Sequence, residues 1–442
     1  MRIALVAMSG IRVLDAELLK LGLTLPGFVE RSKVVASLPS LGLLTLAGMT
    51  PEEHQCEYFE VDDIRKMEPL PGGFDLVAIS SFSAQIAEAY ELGDSFRARG
   101  IPVVMGGLHV TAVPEEASRH CDAVLVGEGE CIWPEILHDA QRGNLRQVYL
   151  ADGAFDFARA PMPAFHLLNP ARYNRLTVQA SRGCPFQCEF CASSILISPR
   201  YKQKPLGRVL AEIDRIRELW PQPFLEFADD NALVNKSYWK ELLNALRERQ
   251  IHWFAETDLS VHEDGELLAL MRDSGCAALL IGLESPVESG LAGLELKSDW
   301  KRKQWPKYRE AIRKIQAHGI RVNGCFVLGL DDQMPEIFDN VYEFAAATEL
   351  FDVQITIQTA FPGTPLYRRL RREKRLLDET AWERCTLFDI NFLPRHMGVE
   401  ELRDGFHHLA LRLYGEEITQ WRRDNFKSRY LRPAMHHKEV LP

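Results

Sequence analysis

Hydrophobic positions in this chain fall into short blocks separated by longer amphipathic stretches, and the rhythm changes along its length. Near the N-terminus, residues 3–8 form an apolar block, 56–61 alternate, and 76–80, 103–105 and 124–126 are continuous apolar runs. Runs of that length predict strands, and uninterrupted ones predict strands buried on both faces. Between them, 39–49 reads as a helix with proline in its first turn, and 84–99 as a helix closed by Gly100. This alternation predicts an α/β domain, a doubly wound parallel sheet over residues 1–150.

Residues 151–175 lose the periodicity and gather Gly153, Pro161, Pro163 and Pro170, the composition of an interdomain linker. From 176 the alternation resumes in longer units. Strands are expected at 176–180, 224–228, 252–255, 278–283, 322–328 and 353–360, with helices at 205–219, 236–246, 265–274, 306–317 and 335–347. Six strand–helix units predict a partial (β/α)6 barrel over residues 176–370. Polar residues follow each strand, on the face where such barrels carry their chemistry. Residues 371–442 are charged, with scattered aromatics, and read as a mainly helical C-terminal region capping the barrel, with a helix at 400–414. The arginine-rich run 369–375 reads as a solvated helix face.

Composition narrows the classes. The 442 residues are 46% hydrophobic and 26% charged, which excludes a disordered or fibrous chain. A net charge of −10 argues against nucleic acid as a partner. The longest low-polarity stretch, 38–49, is too short to span a bilayer, and no signal-peptide cleavage site follows the N-terminus. A cytoplasmic protein without a transmembrane segment is expected.

Nine cysteines, an odd and sparse number, are not a disulfide scaffold. Six are scattered singly and read as small buried hydrophobes. The other three, Cys184, Cys188 and Cys191, lie within eight residues. Structural zinc wants four ligands, and no further Cys or His follows at finger spacing. Three thiolates suit a [4Fe–4S] cube with one iron open to an outside ligand. Gly183 and Pro185 allow the loop to wrap closely, and Phe190 can shield one side of the cluster from water.

Further candidates lie at strand ends, where doubly wound sheets and barrels place their ligands. The first domain offers Ser80 and Ser81, Gly106 and Gly107 with His109, and Gly127-Glu128-Gly129-Glu130. These glycines either admit a flat ligand to the backbone or are plain turn glycines. No G-x-G-x-x-G follows the first strand, so a dinucleotide site is unsupported. The barrel offers Asp229, Asp230 and Asn231, which could equally cap the next helix. It also offers Glu256 and Asp258, and Gly282 with Glu284; a solvated strand end and an internal salt bridge are the plain alternatives. Tyr201, Lys202 and Lys204 follow the cysteine loop as further candidates to face a ligand.

The C-x3-C-x2-C spacing, Phe190 before its last cysteine and its place after the first barrel strand resemble the radical S-adenosylmethionine (SAM) superfamily. Segments 227–231, 281–285, 327–329 and 359–365 resemble members with an N-terminal cobalamin-binding domain, such as hopanoid C-methylases and anaerobic porphyrin ring cyclases. The N-terminal segment 38–44, Gly106-Gly107 and Gly127–Glu130 fit that domain too, and the resemblance covers roughly residues 1–375. It implies a [4Fe–4S] cluster on Cys184, Cys188 and Cys191 whose open iron chelates the amino and carboxylate groups of SAM. An external one-electron donor then drives SAM cleavage to a 5′-deoxyadenosyl radical, which abstracts a substrate hydrogen.

By the same resemblance, Asp229, Asp230 and Asn231 meet the SAM amino group, Glu256 and Asp258 its ribose or amino group, and Gly282 and Glu284 its adenine side. Ser80, Ser81, Gly106, Gly107, Gly127 and Glu128 border cobalamin. Two departures stand out. The D-x-H-x-x-G signature that supplies a histidine to cobalt is absent. The usual glycine-rich, glutamate-ending motif after the second barrel strand reads Phe227-Ala228-Asp229-Asp230-Asn231. The expected reaction is cobalamin-dependent methylation of an unactivated carbon in a small-molecule substrate. The alternative is a radical SAM enzyme that cyclises, rearranges or transfers another SAM fragment, with a vestigial cobalamin domain. A non-catalytic sensor sits poorly with the intact cysteine triad.

Overall fold

The apolar blocks of the N-terminal segment pair into one parallel sheet. In the computed structural model, which describes residues 1–9, 13–21, 38–67, 70–151, 155–196, 198 and 200–431, its strands are β1 (Arg2–Met8), β2 (Gln55–Val61), β3 (Leu76–Ser80), β4 (Val103–Gly106), β5 (Ala123–Val126) and β6 (Val148–Leu150). They run in the order β2-β1-β3-β4-β5-β6. The order reverses between β1 and β3, the crevice where doubly wound sheets bind ligands. Alternate residues of β1 serve opposite faces. Ile3, Leu5 and Ala7 pack with Leu43, Trp133 and Ile136, while Ala4, Val6 and Met8 pack with Ile86, Leu92 and Phe96. The short edge strand β6 and the helix Trp133–Gln141 were not legible as periodic runs. The helix at Leu41–Met49 is capped by Ser40, so Pro39 precedes the cap instead of occupying the first turn.

The second sheet holds all six expected strands: β7 (Leu176–Val178), β8 (Phe224–Ala232), β9 (His252–Thr257), β10 (Cys276–Glu284), β11 (Arg321–Leu328) and β12 (Asp352–Ile357). They pair in parallel and in sequence, β7 and β12 forming the two edges of an open barrel. Helices Leu206–Leu219, Lys236–Arg247, Gly265–Asp273, Tyr308–Ala317 and Ile337–Ala347 cover its outside. Each turns a stripe inward, as Trp239, Leu242, Leu243 and Leu246 do. Within the barrel, Phe254, Ala278 and Leu280, with Phe224 and Cys325, form a separate small core near the strand starts. The opposite end is left for polar side chains. Pairing slips between Phe227 and Ala232 on β8 and between Gly282 and Glu284 on β10, so both strands carry bulges where they reach that end.

Two expectations need correction. Residues 155–175 are a packed connection: Phe157, Ala160, Ala164, Phe165, Leu168 and Tyr173 are buried, and Ala164 N–H donates to Leu44 C=O at 2.9 Å. The run 369–375 is a solvated face only in part: Arg371, Arg372, Glu373 and Lys374 are exposed, but Arg369 is drawn inward. Arg369 grips Glu189 through both carboxylate oxygens, at 3.0 and 2.5 Å, and Asp331 at 2.6 Å. The C-terminal region is irregular up to the helices Val399–Tyr414 and Glu416–Phe426. The irregular part closes the β12 edge, where Ile357 N–H donates to Leu387 C=O at 2.7 Å. Among the described residues, no helix is long and apolar enough to cross a membrane.

Candidate functional site

The cysteine loop leaves β7 through a set of hydrogen bonds that fix its path. The Asp229 carboxylate accepts from Ala180 N–H at 2.8 Å, Ser181 N–H at 2.7 Å and Ser181 O–H at 2.5 Å. Burial pushes Asp229 up to about 7, against those hydrogen bonds. Gly183 follows with φ +83°, where a Cβ would meet Arg200 C=O at 2.5 Å, so only glycine fits. Its N–H donates to Asp230 at 2.6 Å. Farther along, Glu189 N–H donates to Leu294 C=O and Leu296 N–H to Gln187 C=O, each at 2.8 Å. Phe186 stacks on Trp300 at 4.6 Å between ring centroids. The loop is thereby held by β8, by residues 294–300 and by Arg369.

Cys184, Cys188, Cys191 and Phe190 border one cavity of about 320 Å³ at the C-terminal ends of the barrel strands. Asp230, Asn231, Glu256, Asp258, Gly282 and Glu284 line the same cavity. Asp229 does not; its oxygens are spent on the loop, so it positions the site from behind. Asn231 links strand ends: its amide N–H donates to Asp258 at 2.9 Å and lies 3.7 Å from the Cys184 sulfur, while its carbonyl accepts from Asp258 N–H at 3.1 Å. Glu284, at φ +61° on the β10 bulge, pairs with Lys301 at 2.7 Å. Burial disfavours the Lys301 charge, but Glu284 and Cys188 outweigh it and hold the ammonium above the ordinary lysine range. Glu256 opens onto the cavity, where enclosure, Glu226 and Asp230 push it up to about 7.

Sequence reading missed Lys301, Gln354 and Gln358 in this lining. The side-chain carbonyls of Gln354 and Gln358 are buried without a hydrogen-bond partner among the described residues. Unmet acceptors in a wall call for a ligand that donates. The thiols fit a metal cluster for a related reason. Burial pushes Cys184 up to about 11, and Cys188 up to about 12 against the pull of Lys301. Such thiols ionise when a metal replaces the proton. Four carboxylates against one lysine also suit the cationic sulfonium and ammonium of SAM.

A second cleft, of about 200 Å³, lies beyond the C-terminal ends of β3, β4 and β5. Its wall holds Gly42, Gly106, Gly107, Gly127 and Gly129 among Leu43, Leu46, Ile79, Val104, Leu125 and Trp133. A Cβ on Gly107, at φ +104°, would come within 3.1 Å of the Ser80 hydroxyl. An apolar floor rimmed by glycines fits the edge of a flat macrocycle such as a corrin. Ser80 and Glu128 line this cleft; Ser81 lies behind it, its hydroxyl donating to Phe82 C=O at 2.9 Å. His109 is buried away from the lining, 3.0 Å from the Ser83 hydroxyl and edge-on to Trp382, and offers the cleft no imidazole. Glu128 and Glu130 turn toward the barrel: Arg182 binds them at 3.1 and 2.7 Å, and Lys202 also binds Glu128. Lys204 is spent on buried Glu212 at 2.6 Å.

A six-stranded open barrel with a three-cysteine loop after its first strand, behind a doubly wound domain with a glycine-rimmed cleft, defines a two-cofactor radical enzyme architecture. Family models agree: the radical SAM superfamily matches residues 178–345, the B12 binding domain 31–137, and a domain of unknown function (DUF4070) 364–440. The chain is 30% identical over 364 residues to an uncharacterized methyltransferase of Synechocystis, covering 81% of this chain and 67% of that protein. It is 29% identical to bacteriochlorophyllide d C-12(1)-methyltransferase of Chlorobaculum tepidum, covering 81% and 80%. To the hopanoid C-2 methylase of Rhodopseudomonas palustris it is 28% identical, covering 82% and 69%. The chain belongs to the radical SAM superfamily, among the methyltransferases that carry a B12 binding domain. In fold it is similar to the solved radical SAM methyltransferase TsrM of Kitasatospora setae with cobalamin and a [4Fe-4S] cluster bound (TM-score 0.66, 14% identity, 93% of this chain and 88% of that one).

Proposed function

We propose that this protein methylates a carbon of a small-molecule substrate in the cytoplasm, using a [4Fe–4S] cluster, SAM, cobalamin and an external one-electron donor. The observation that carries this reading is the junction of the two clefts: Arg182 lines the glycine-rimmed one, and Cys184, two residues on, lines the barrel cavity. A radical made at one site and a methyl group carried at the other would meet the same substrate between the domains. Bound there, cluster and SAM supply a carbon-centred radical, and the corrinoid supplies the methyl group.

The chain's own part is binding, orientation and exclusion of water. Cys184, Cys188 and Cys191 hold the cluster, and Phe190 covers it. Asn231 and Asp258 form one connected edge for the SAM ammonium, with Asp230 beside them, its carboxylate also holding Gly183 N–H and the Ser193 hydroxyl. Glu256 and the Glu284–Lys301 pair set the charge deeper in the cavity, and Gly282 gives close access to the backbone. Gly106, Gly107 and Gly127, with Ser80, receive the corrin edge. The test is anaerobic reconstitution of the full chain with iron, sulfide and hydroxocobalamin, then reductant and SAM. We expect a retained corrinoid spectrum and release of 5′-deoxyadenosine. Fully clustered protein that yields no 5′-deoxyadenosine would remove the radical reading. Active protein that retains no corrinoid would remove the methylation reading and leave a non-methylating radical SAM enzyme.

A further inference from the structure

Glu128 and Glu130 sit in the loop after β5, in the wall of the glycine-rimmed cleft, yet their carboxylates point to the other domain. The Glu128 side chain is fully buried, and Arg182 and Lys202 take one oxygen each. Burial works against the Glu130 charge, but Arg182 outweighs it and keeps the carboxyl below its ordinary range. The guanidinium also donates to Gln179 at 3.2 Å through two of its nitrogens and packs 4.8 Å from the Phe157 ring centroid. Arg182 and Lys202 face each other in a two-residue antiparallel ladder that closes the base of the cysteine loop, so the clasp has two arms on one support. Arg182 itself lines the cleft.

The path from Arg182 to the cluster loop has no slack. Gly183, between Arg182 and Cys184, is confined by the carbonyls of Arg200 and Ser198, which a Cβ would meet at 2.5 and 2.7 Å, and it is tied to Asp230. On the other side, the loop 127–130 is confined too: a Cβ at Gly127 would touch Ala151 at 3.0 Å. A ligand that fills the cleft and shifts this loop must move Glu128 and Glu130, and they are bound to a side chain two residues from Cys184. Packed elements of this kind pass on displacement instead of absorbing it.

We propose that Arg182 is a positioning residue shared by the two cofactor sites, clasping the wall of the corrin cleft to the cluster loop so that filling the cleft alters the environment of the cluster. This rests on the cobalamin reading above and adds a coupling to it. The test compares the electron paramagnetic resonance spectrum and midpoint potential of the reduced cluster in the full chain, with and without hydroxocobalamin. In the unaltered protein both should change when corrinoid binds. In Arg182→Met the iron content should persist, the corrinoid should dissociate about tenfold more readily, and the cluster should no longer respond. Should Arg182→Met fail to assemble a cluster, Lys202→Met carries the test, since it opens the other arm of the clasp and should reduce the same response. A cluster that responds to corrinoid equally in the unaltered protein and in either variant overturns the coupling. Unaltered protein that binds no corrinoid overturns the cobalamin reading itself, a different failure, and leaves the clasp as a plain domain contact.

Discussion

The two clefts are built on opposite principles. The first is lined by five glycines and an apolar floor, and its two glutamates are spent on the neighbouring domain. The barrel cavity has one glycine, Gly282, but four carboxylates, a lysine and four cysteines, the loop triad and Cys325. One site selects by shape, the other by charge and ligation. Added volume should therefore damage the first selectively, and changed charge the second. The largest effect expected follows from ligation. Replacing Cys184, Cys188 and Cys191 together by alanine should remove the iron, the visible cluster absorbance and all 5′-deoxyadenosine formation, while hydroxocobalamin is still retained. Iron content at the level of the unaltered protein would refute the ligand assignment, and joint loss of corrinoid would show that the cluster loop also holds the corrin cleft in shape.

Charge in the barrel comes next. Lys301 and Glu284 are both about nine-tenths buried at their side chains, at 10% and 9% exposure. Lys301→Met strands the carboxylate beside Gly282, and breaking a buried pair in this way costs about 3–5 kcal/mol. Urea unfolding followed by tryptophan fluorescence should show that loss, since Trp239 and Trp253 lie in the barrel core. The double variant Lys301→Met, Glu284→Leu should recover most of it, because no charge is then left unpaired. A single variant as stable as the unaltered protein would mean that the pair is solvated.

Shape in the first cleft is tested by Gly107→Val. The residue stands at φ +104°, and its Cβ would approach the Ser80 hydroxyl and Ser81 C=O at 3.1 and 3.4 Å. Backbone strain of about 1–3 kcal/mol and a filled cleft should together weaken corrinoid retention by about tenfold or more. Iron content and SAM cleavage should change little. Loss of both cofactors at once would show that the clefts are not separable by volume.

The two regions also differed in how far sequence revealed them. The six barrel strands were legible because each is an apolar run between helical repeats, and the cysteine triad because its members are close in sequence. The wall glycines were legible for the same reason. Their neighbours' roles were not: Glu128 meets Arg182 across 54 positions, and Arg369 meets Glu189 across 180. Glu128 therefore read as a cofactor contact, and the Arg369 run as a solvated face. Lys301 sits on a five-residue helix with no periodicity to mark it, and barrel closure alone carries it to the Cys188 side of the cavity. Local pattern encodes elements and close-set ligands. Ion pairs that join elements are written only in the closed fold.

The smallest effect expected concerns proton binding on the shape-selecting side alone. His109 is fully buried between the Ser83 hydroxyl at 3.0 Å and the Trp382 ring at 5.3 Å, and Trp382 donates to Glu116 at 3.1 Å. Burial drives its pKa down to about 4, and Glu116, 3.7 Å from the other ring nitrogen, pulls it back only in part. An unfolded histidine titrates near about 6.5. Between those two values the unfolded chain takes up a proton that the native ring refuses, so stability falls as pH drops through that window. The full span corresponds to about 3 kcal/mol at most. His109→Gln removes the titration, so its stability deficit should be largest above the window and shrink progressively toward its acid end. Urea midpoints of both proteins across the window measure this. If the two curves run parallel, His109 binds its proton equally well in the native and unfolded chain; if the deficit instead grows toward acid, the native ring is protonated and its contact with Glu116 is an ion pair. That would place a buried charge on the side of the molecule that otherwise works by shape.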